Sequence, residues 1–118
     1  MANPFVHLEL NTPDLAKAKE FYGQLFGWSF NDMPFPGGIY STFKPDTDPG
    51  GGMMSMKDAP MGWLAYVGVD DIQASSKKAK ELGAQVPIEA QEIPNVGWWS
   101  LVIDPTGVRI ALFQPKAS

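Results

Sequence analysis

The side chains best suited to chemistry lie near the start of the chain, where His7 and Glu9 stand two positions apart in the segment FVHLEL. A neutral imidazole can bind a metal ion, accept a proton near neutral pH or hydrogen-bond a ligand. Residues two apart on a strand share a face, so the carboxylate can pair with the ring and fix its tautomer. We predict that His7 and Glu9 form a catalytic pair; a purely structural pairing is the alternative.

A complete metal site is not expected from this pair. His7 is the sole histidine and the chain has no cysteine, which excludes disulfide bonds and zinc sites built on cysteine. Two ligands from one strand rarely satisfy a tetrahedral or octahedral ion. We therefore expect no tightly bound cofactor, with a divalent metal ion as the alternative.

A sequence pattern that occurs twice positions these side chains. The segment FVHLEL alternates apolar and polar residues like a strand, and the helix after it is expected to be capped by Thr12 and ended by Gly27. The strand WLAYVGV restarts the pattern, and Asp70 and Gly83 are expected to bound the second helix. After each helix, Gly and Pro residues divide the chain into three short strands, expected around 28–31, 39–44, 52–56, 85–88, 98–103 and 108–114.

The order of elements is therefore βαβββ twice, which predicts an α+β fold. We expect one domain over residues 1–118, with one module over about 1–57 and the other over about 62–118. A four-stranded sheet covered by a helix on one side leaves its other face bare, so the two sheets are expected to cover each other and form a curved, barrel-like cup. Its concave face then carries His7 and Glu9.

Aromatic side chains form a second candidate set, because most tryptophans and tyrosines lie in or beside predicted strands. Tyr66 falls at the position of the second module that corresponds to Glu9, and it offers a flat face and a hydroxyl. Adjacent Trp98 and Trp99 point to opposite faces, so one of them is expected in the cup. With Tyr40, these residues are predicted contacts for a flat or apolar ligand. Packing in the core or in a dimer seam is the alternative.

The charge of the chain argues against several partners. Its formal net charge is -4 and its pI is about 4.7. Nucleic acids and anionic membranes attract gathered positive charge, so neither is an expected partner. The chain starts without a leader pattern, and nowhere do about 18 apolar residues run together, which predicts a cytoplasmic protein.

Three stretches carry a family resemblance: VHLELNTPDLAKAKEFYGQLFGWSF, GWLAYVGVDDIQASSKKAKELGAQV and IPNVGWWSLVIDPTGVRIALFQP. Together they resemble the vicinal oxygen chelate superfamily of glyoxalases, bleomycin-resistance proteins and extradiol dioxygenases, and are most similar to small bacterial glyoxalase-like proteins. The resemblance covers nearly the whole chain. It implies the glyoxalase/bleomycin-resistance fold and a homodimer.

The resemblance also implies where a metal ion would bind in the metal-dependent members, on the first and last strand of each module. Transferred to this sequence, those positions are His7, Met53 or Met54, Leu64 and Ala111. Only His7 is a ligand that such enzymes use, because a thioether binds hard cations weakly and leucine and alanine have no donor. The family's metal site is therefore expected to be incomplete.

The same alignment turns Ala111 inward, and alternation then puts Arg109 on its side of the last strand. A guanidinium can meet a carboxylate with two parallel hydrogen bonds, so Arg109 is a candidate anion anchor; a salt bridge at the rim is the alternative. We predict a glyoxalase-like cleft protein that binds or transforms a small aromatic or anionic molecule without a complete metal site. The alternatives are a metal-dependent lyase, isomerase or dioxygenase, and a non-enzymatic dimeric interaction domain.

Overall fold

The computed structural model describes residues 3–117, which form an α+β chain with two helices and eight strands. The chain divides into two compact units, one over His7–Leu64 and the other over residues 3–6 together with 65–117. The βαβββ order predicted for each half is confirmed. Within the described part, no helix combines the length and the apolar character needed to cross a membrane.

The first module has its single helix directly after its first strand. Its elements are β1 (Phe5–Asn11), α1 (Leu15–Phe26), β2 (Phe30–Phe35), β3 (Gly38–Phe43) and β4 (Gly51–Met54). The strands lie in the order β2-β3-β4-β1, with β1 and β4 parallel and the other neighbours antiparallel. In this register Glu9 is opposite Gly52, and Leu10 is opposite Met53.

The core of the first module lies between α1 and one face of this sheet. Leu10, Phe43 and Met53 are buried at its centre, surrounded by the partly buried Leu15, Ala18, Tyr22, Trp28 and Phe30. The rings of Trp28 and Phe43 stack with their centroids 4.4 Å apart. Since strand side chains alternate, His7 and Glu9 lie on the opposite face from Leu10, as predicted.

The second module repeats the arrangement. Its elements are β5 (Gly62–Gly68), α2 (Ile72–Glu81), β6 (Gln85–Ile93), β7 (Gly97–Ile103) and β8 (Arg109–Pro115). The strands lie in the order β5-β8-β7-β6, with β5 and β8 parallel and Tyr66 opposite Ala111. Buried Ser76 of α2 shares a 2.7 Å hydrogen bond with buried Ser100 of β7, which ties the helix to its sheet.

Both helices begin later than predicted. Asp14, not Thr12, is the N-cap of α1, and its carboxylate accepts a 3.0 Å hydrogen bond from the backbone N–H of Lys17. Asp71, not Asp70, caps α2 by accepting from the N–H of Ala74. In each case an aspartate reaches an N–H group three residues on, which is the usual geometry of an N-cap.

Two strands differ clearly from their predicted bounds. β2 begins at Phe30 instead of residue 28, because Trp28 packs in the core under α1. β6 runs on to Ile93, five residues beyond its predicted end at Ile88. Its pairing with β7 contains two register shifts, and Ala90, within the second of them, has a φ of 48°. Bulged segments of this kind break the alternation on which the sequence prediction depends.

Candidate functional site

A hydrogen-bonded cluster lies on the face of the first module's sheet that is turned away from α1. The Tyr40 hydroxyl lies 2.8 Å from Nε2 of His7 and donates a 2.9 Å hydrogen bond to Oε2 of Glu9. His7 and Glu9 come from β1, and Tyr40 comes from β3. We call these three residues the phenol cluster. The structure thus brings together the predicted catalytic pair and one of the predicted ligand contacts.

Gly52 on β4, the strand between β1 and β3, makes room for this arrangement. A Cβ added at Gly52 would overlap the ring atoms and the hydroxyl of Tyr40. The Tyr40 ring therefore lies directly over the glycine, where a side chain on β4 would otherwise stand. Gly52 is itself buried. The absence of a side chain at this position is what allows a residue of β3 to reach across β4 to β1.

The order of the hydrogen bonds fixes the tautomer of His7. A phenol has one proton, and Tyr40 gives it to Glu9, so Nε2 of His7 must carry a proton and donate to the Tyr40 oxygen. Nδ1 is then the acceptor nitrogen of the ring. Burial lowers the pKa of His7, and the nearby Glu9 carboxylate partly offsets this. The imidazole is therefore neutral at pH 7 and able to accept a proton.

Flat surfaces surround the cluster. The rings of His7 and Tyr40 are nearly parallel, at 15°, with centroids 6.3 Å apart. The ring of Phe35, on β2, meets Tyr40 edge-on at 6.2 Å. The arrangement can hold an aromatic group and exchange a proton with it.

The residues present do not fit the divalent ion of the metal-dependent family members. The registers show that Gly52 lies opposite Glu9 as Ala111 lies opposite Tyr66, so Gly52 is the position that corresponds to Ala111. The assignment of this position to Met53 or Met54 is thus corrected to Gly52. Met53 is fully buried in the core on the helix side, and Met54 is displaced by two residues along β4.

Of the four transferred positions, His7 alone therefore has a metal-binding side chain. Leu64 and Ala111 are apolar and buried, and Gly52 has no side chain. In residues 3–117, no three His, Asp or Glu side chains come together as a metal ion would need.

The predicted ligand contacts of the second module separate into two faces. Tyr66 is buried, and its ring contacts Trp99 with centroids 6.1 Å apart. Trp99 is opposite Phe113, which places both on the same face as Ala111. Arg109 also shares this face, but it is four residues from Phe113, about 13 Å along β8, so it does not join the Trp99 contact.

Trp98 lies on the other face of β7, towards α2. It lines a cavity of about 230 Å³ at the start of α2, together with Asp71, Ile72, Gln73, Ala90 and Gln114. The Nζ of Lys116 lies 5.3 Å from the centroid of the Trp98 ring. Trp98 therefore lies on a different face from the contact between Tyr66 and Trp99.

Sequence reasoning missed the importance of Gly52 and the bridging position of Tyr40. The signal available was the run of three glycines at 50–52, which is unusual beside a strand because a glycine there often marks a close approach of another group. What the sequence did not give was the register of β3 on β4, which decides that the approaching group is Tyr40.

The family model described as Bleomycin resistance protein-like N-terminal matches residues 4–39. This segment contains β1, α1 and β2, and with them His7 and Glu9 of the phenol cluster.

Two relatives extend the likeness to most of the chain. The glyoxylase-named protein CFP32 of Mycobacterium tuberculosis is 37% identical over an alignment of 114 positions that covers 91% of this chain. DnrV of Streptomyces peucetius, named as an anthracycline biosynthesis protein, is 27% identical over an alignment of 123 positions that covers 90% of this chain. The matches take in 44% of CFP32 and 45% of DnrV, so the chain spans less than half the length of either relative.

A solved structure supports the same relationship at the level of the fold. Methylmalonyl-CoA epimerase from Mycobacterium tuberculosis matches with a TM-score of 0.73 and 18% identity, over 96% of this chain and 88% of that chain. Identity this low shows a shared fold and nothing about the reaction. Motifs, relatives and fold agree, and this chain is a glyoxalase-like member of the vicinal oxygen chelate superfamily.

Proposed function

We propose that this chain binds a small aromatic or anionic molecule at the phenol cluster and acts on it by proton transfer, without a bound metal ion. The observation that carries the proposal is the Tyr40 hydroxyl, which joins His7 to Glu9 from the space above Gly52. A hydroxyl held between an imidazole and a carboxylate can pass a proton between them. General acid-base catalysis needs this ability and no metal.

An aromatic ligand is supported by the surroundings of the cluster. The rings of His7, Tyr40 and Phe35 offer flat and edge-on surfaces beside the exchangeable proton, and aromatic groups pack well in either orientation. A relative named for anthracycline biosynthesis is in keeping with such a ligand.

The metal-free part of the proposal is tested by metal analysis combined with NMR of His7. Protein purified without chelator or affinity tag is analysed by mass spectrometry, and Ni, Zn, Mn and Fe(II) are then added in turn. Because His7 is the sole histidine, its ring signals are identified without ambiguity. We expect less than stoichiometric metal and unmoved His7 signals. A stoichiometric ion that shifts those signals would overturn the metal-free proposal and favour a metal-dependent enzyme.

The binding part is tested with the variant His7→Gln, which keeps a polar side chain of similar length but loses the ring and its basic nitrogen. Naphthalene-ring probes with different substituents are titrated into both proteins. We expect weaker binding to His7→Gln with an unchanged circular dichroism spectrum. A large loss of stability with unchanged probe binding would give His7 a structural role and contradict the proposal.

We also propose that the chain pairs with a second copy of itself through α1. The second half of α1 exposes Phe21, Leu25 and Phe26, each by more than half of its surface, and exposed apolar residues near one another often mark interaction sites. Sedimentation of the wild type should give a dimer, and Phe21→Asp should give a monomer. Leu82→Asp, at the C-cap of α2, is the matched control because Leu82 is an apolar residue that is also more than half exposed. A monomeric wild type at all concentrations would contradict this proposal.

A further inference from the structure

We infer that the cavity beside Trp98, on the helix side of the second module, binds an organic ammonium compound with a flat ring system. The site is separate from the phenol cluster and does not depend on the proposed function. Three features support this ligand: the size and shape of the cavity, the hydrogen bonds at the start of α2 and the charge of Asp71.

The cavity has room for a ligand with two fused rings. Its volume is about 230 Å³, whereas an apolar cavity of roughly 150 Å³ is enough to hold benzene. One wall is the ring of Trp98, which is only partly buried and offers a flat surface. Ile72 and Ala90 add apolar side chains to the lining. A bicyclic aromatic group therefore fits the space and finds apolar surface to contact.

A bulge in β6 contributes to the space beside Trp98. The strand advances by three positions between Ile88 and Gln91, whereas β7 advances by two between the residues opposite them. Ala90 lies in this bulge, and its N–H donates a 2.8 Å hydrogen bond to the buried hydroxyl of Ser100. Because this hydrogen bond holds the bulge, the cavity is already formed before a ligand binds, which lowers the cost of binding.

The start of α2 lines this cavity, but two of its N–H groups are already used within the chain. The N–H of Ile72 donates a 2.8 Å hydrogen bond to Oε1 of Gln114. The N–H of Ala74 donates a 3.1 Å hydrogen bond to Oδ1 of Asp71. Anions bind at the start of a helix through N–H groups of this kind. An anion would therefore have to displace a side chain to reach either of these two groups.

The charge at the cavity favours a cation. Of the described residues that line it, Asp71 is the one with a charged side chain. Its Oδ1 accepts from the helix, and its Oδ2 can accept a hydrogen bond from a ligand ammonium group. The nearby ammonium group of Lys116 is paired with the Glu92 carboxylate. These three side chains together carry one negative charge, which attracts an ammonium group and repels a carboxylate.

The first module has an aliphatic residue at the place of Trp98. The strand registers align Trp98 with Ile39, which has no flat face. The helix caps, by contrast, are the same, because Asp14 caps α1 as Asp71 caps α2. The two modules therefore share the carboxylate but differ in the aromatic wall, which makes Asp14 a matched control for Asp71.

The test uses three probes that share an indole ring with a side chain of two methylene groups. Tryptamine ends in an ammonium group, 3-propylindole in a methyl group and indole-3-propionate in a carboxylate. Binding is measured by calorimetry at pH 7. We expect tryptamine to bind about fivefold more tightly than 3-propylindole, as one exposed ion pair would give. Indole-3-propionate should bind more weakly than either. The Nε1–H NMR signal of Trp98, assigned by its loss in Trp98→Phe, should shift when tryptamine is added.

Two variants separate the charge from the ring contact. Asp71→Asn removes the charge and keeps a residue that caps helices well, so tryptamine should bind no better than 3-propylindole. Asp14→Asn makes the same change at the cap of α1 and should leave the preference for tryptamine unchanged. Trp98→Ala removes the flat wall and should weaken binding of tryptamine and 3-propylindole by about tenfold. Trp63→Ala, at an exposed tryptophan outside the cavity lining, is its control.

Either of two results would overturn the inference. If indole-3-propionate binds as tightly as tryptamine, or if the preference for tryptamine survives in Asp71→Asn, the cavity does not select a cation. If tryptamine does not bind, or binds without shifting the Trp98 signal, the cavity is not a site for a flat ammonium compound. Asp71→Asn keeps the test valid even if Trp98→Ala fails to fold.

Discussion

The two modules place equivalent residues in equivalent contacts but with different chemistry. In the first module, Tyr40 reaches Glu9 through a hydrogen bond of 2.9 Å. In the second module, the residue that corresponds to Tyr40 is Trp99, and it meets Tyr66, the counterpart of Glu9, through a contact between rings. The same pair of sheet positions therefore forms a hydrogen bond in one module and a contact between rings in the other.

The residue below each pair explains why the two modules differ. Gly52 leaves its space to the Tyr40 ring, whereas its counterpart Ala111 is fully buried and fills its own space. His7, in the first module, has Leu64 as its counterpart, which is also buried. Two modules with the same fold can thus differ at equivalent positions, with apolar packing in one module and polar groups in the other.

The largest expected effect comes from placing a charge at the packed position of the second module. Ala111→Asp places a carboxylate at a fully buried position that has no room for it, so we expect a loss of about 4 kcal/mol or more in the free energy of unfolding. Urea denaturation measures it, with Ala111→Gly as the control for the loss of the methyl group. A loss below about 2 kcal/mol would show that this position is not tightly packed and would weaken the contrast with Gly52.

The next largest effect concerns the two methionines of β4. Met53 is fully buried beside Leu10 and Phe43, so Met53→Ala should cost about 2–5 kcal/mol through lost contacts and a cavity. Met54 lies on the other face and is only partly buried. Met54→Ala, measured in the same urea experiment, should cost less than half as much. Equal losses would mean that the two faces of this strand are equally packed.

A smaller effect is expected where α2 is tied to its sheet. The hydroxyl of Ser100 bonds that of Ser76 and also accepts a 2.8 Å hydrogen bond from the N–H of Ala90. Ser100→Ala leaves these groups without a partner and should cost about 1–3 kcal/mol. Ser75→Ala, one residue before Ser76 on the same helix, should stay within about 0.5 kcal/mol. In the first module the counterpart of Ser100 is Ser41, which is also buried and donates to Asp32, and Asp32 pairs with Lys19 of α1.

The smallest expected effect is the dependence of stability on pH. Because the folded state lowers the pKa of His7, the unfolded chain binds a proton first as the pH falls. The contribution of His7 is therefore complete above its ordinary value of 6.5 and is lost as the pH falls through the lowered value in the folded state. His7→Gln should flatten this part of the stability curve. A His7 NMR titration with a midpoint at or above 6.5 would contradict the prediction.

Much of the fold could be predicted from the sequence, because strong local patterns specify it. The alternation in FVHLEL gives β1 its face, and a glycine ends α1 in the left-handed conformation at a φ of 74°. The N-caps were predicted too early in the chain because Thr12 and Asp70 are of residue types that cap helices as well as the true caps do. Only the position of the first helical hydrogen bonds separates them from Asp14 and Asp71.

The candidate site could be predicted only in part. Residues two apart on one strand share a face whatever the tertiary structure, so the common face of His7 and Glu9 could be predicted. The contact of both with Tyr40 depends on the registers of β3, β4 and β1, and a shift of one residue would turn Tyr40 to the other face. For the same reason, the family's metal position on β4 was predicted at Met53 or Met54 instead of Gly52. Successive glycines show no alternation of apolar and polar side chains, so they give no indication of the register.

Asn11, at the end of β1, has a consequence for attempts to divide the gene into halves. Its buried side-chain amide donates to the carbonyls of Met56, Ala59 and Pro60, and its oxygen accepts from the N–H of Met56. The segment after β4 is thereby fastened to the first strand and is not a free tether. A fragment that stops at Lys57 would keep the Met56 partners of this amide but lose the carbonyls of Ala59 and Pro60, so a soluble half should require the chain to continue past Pro60.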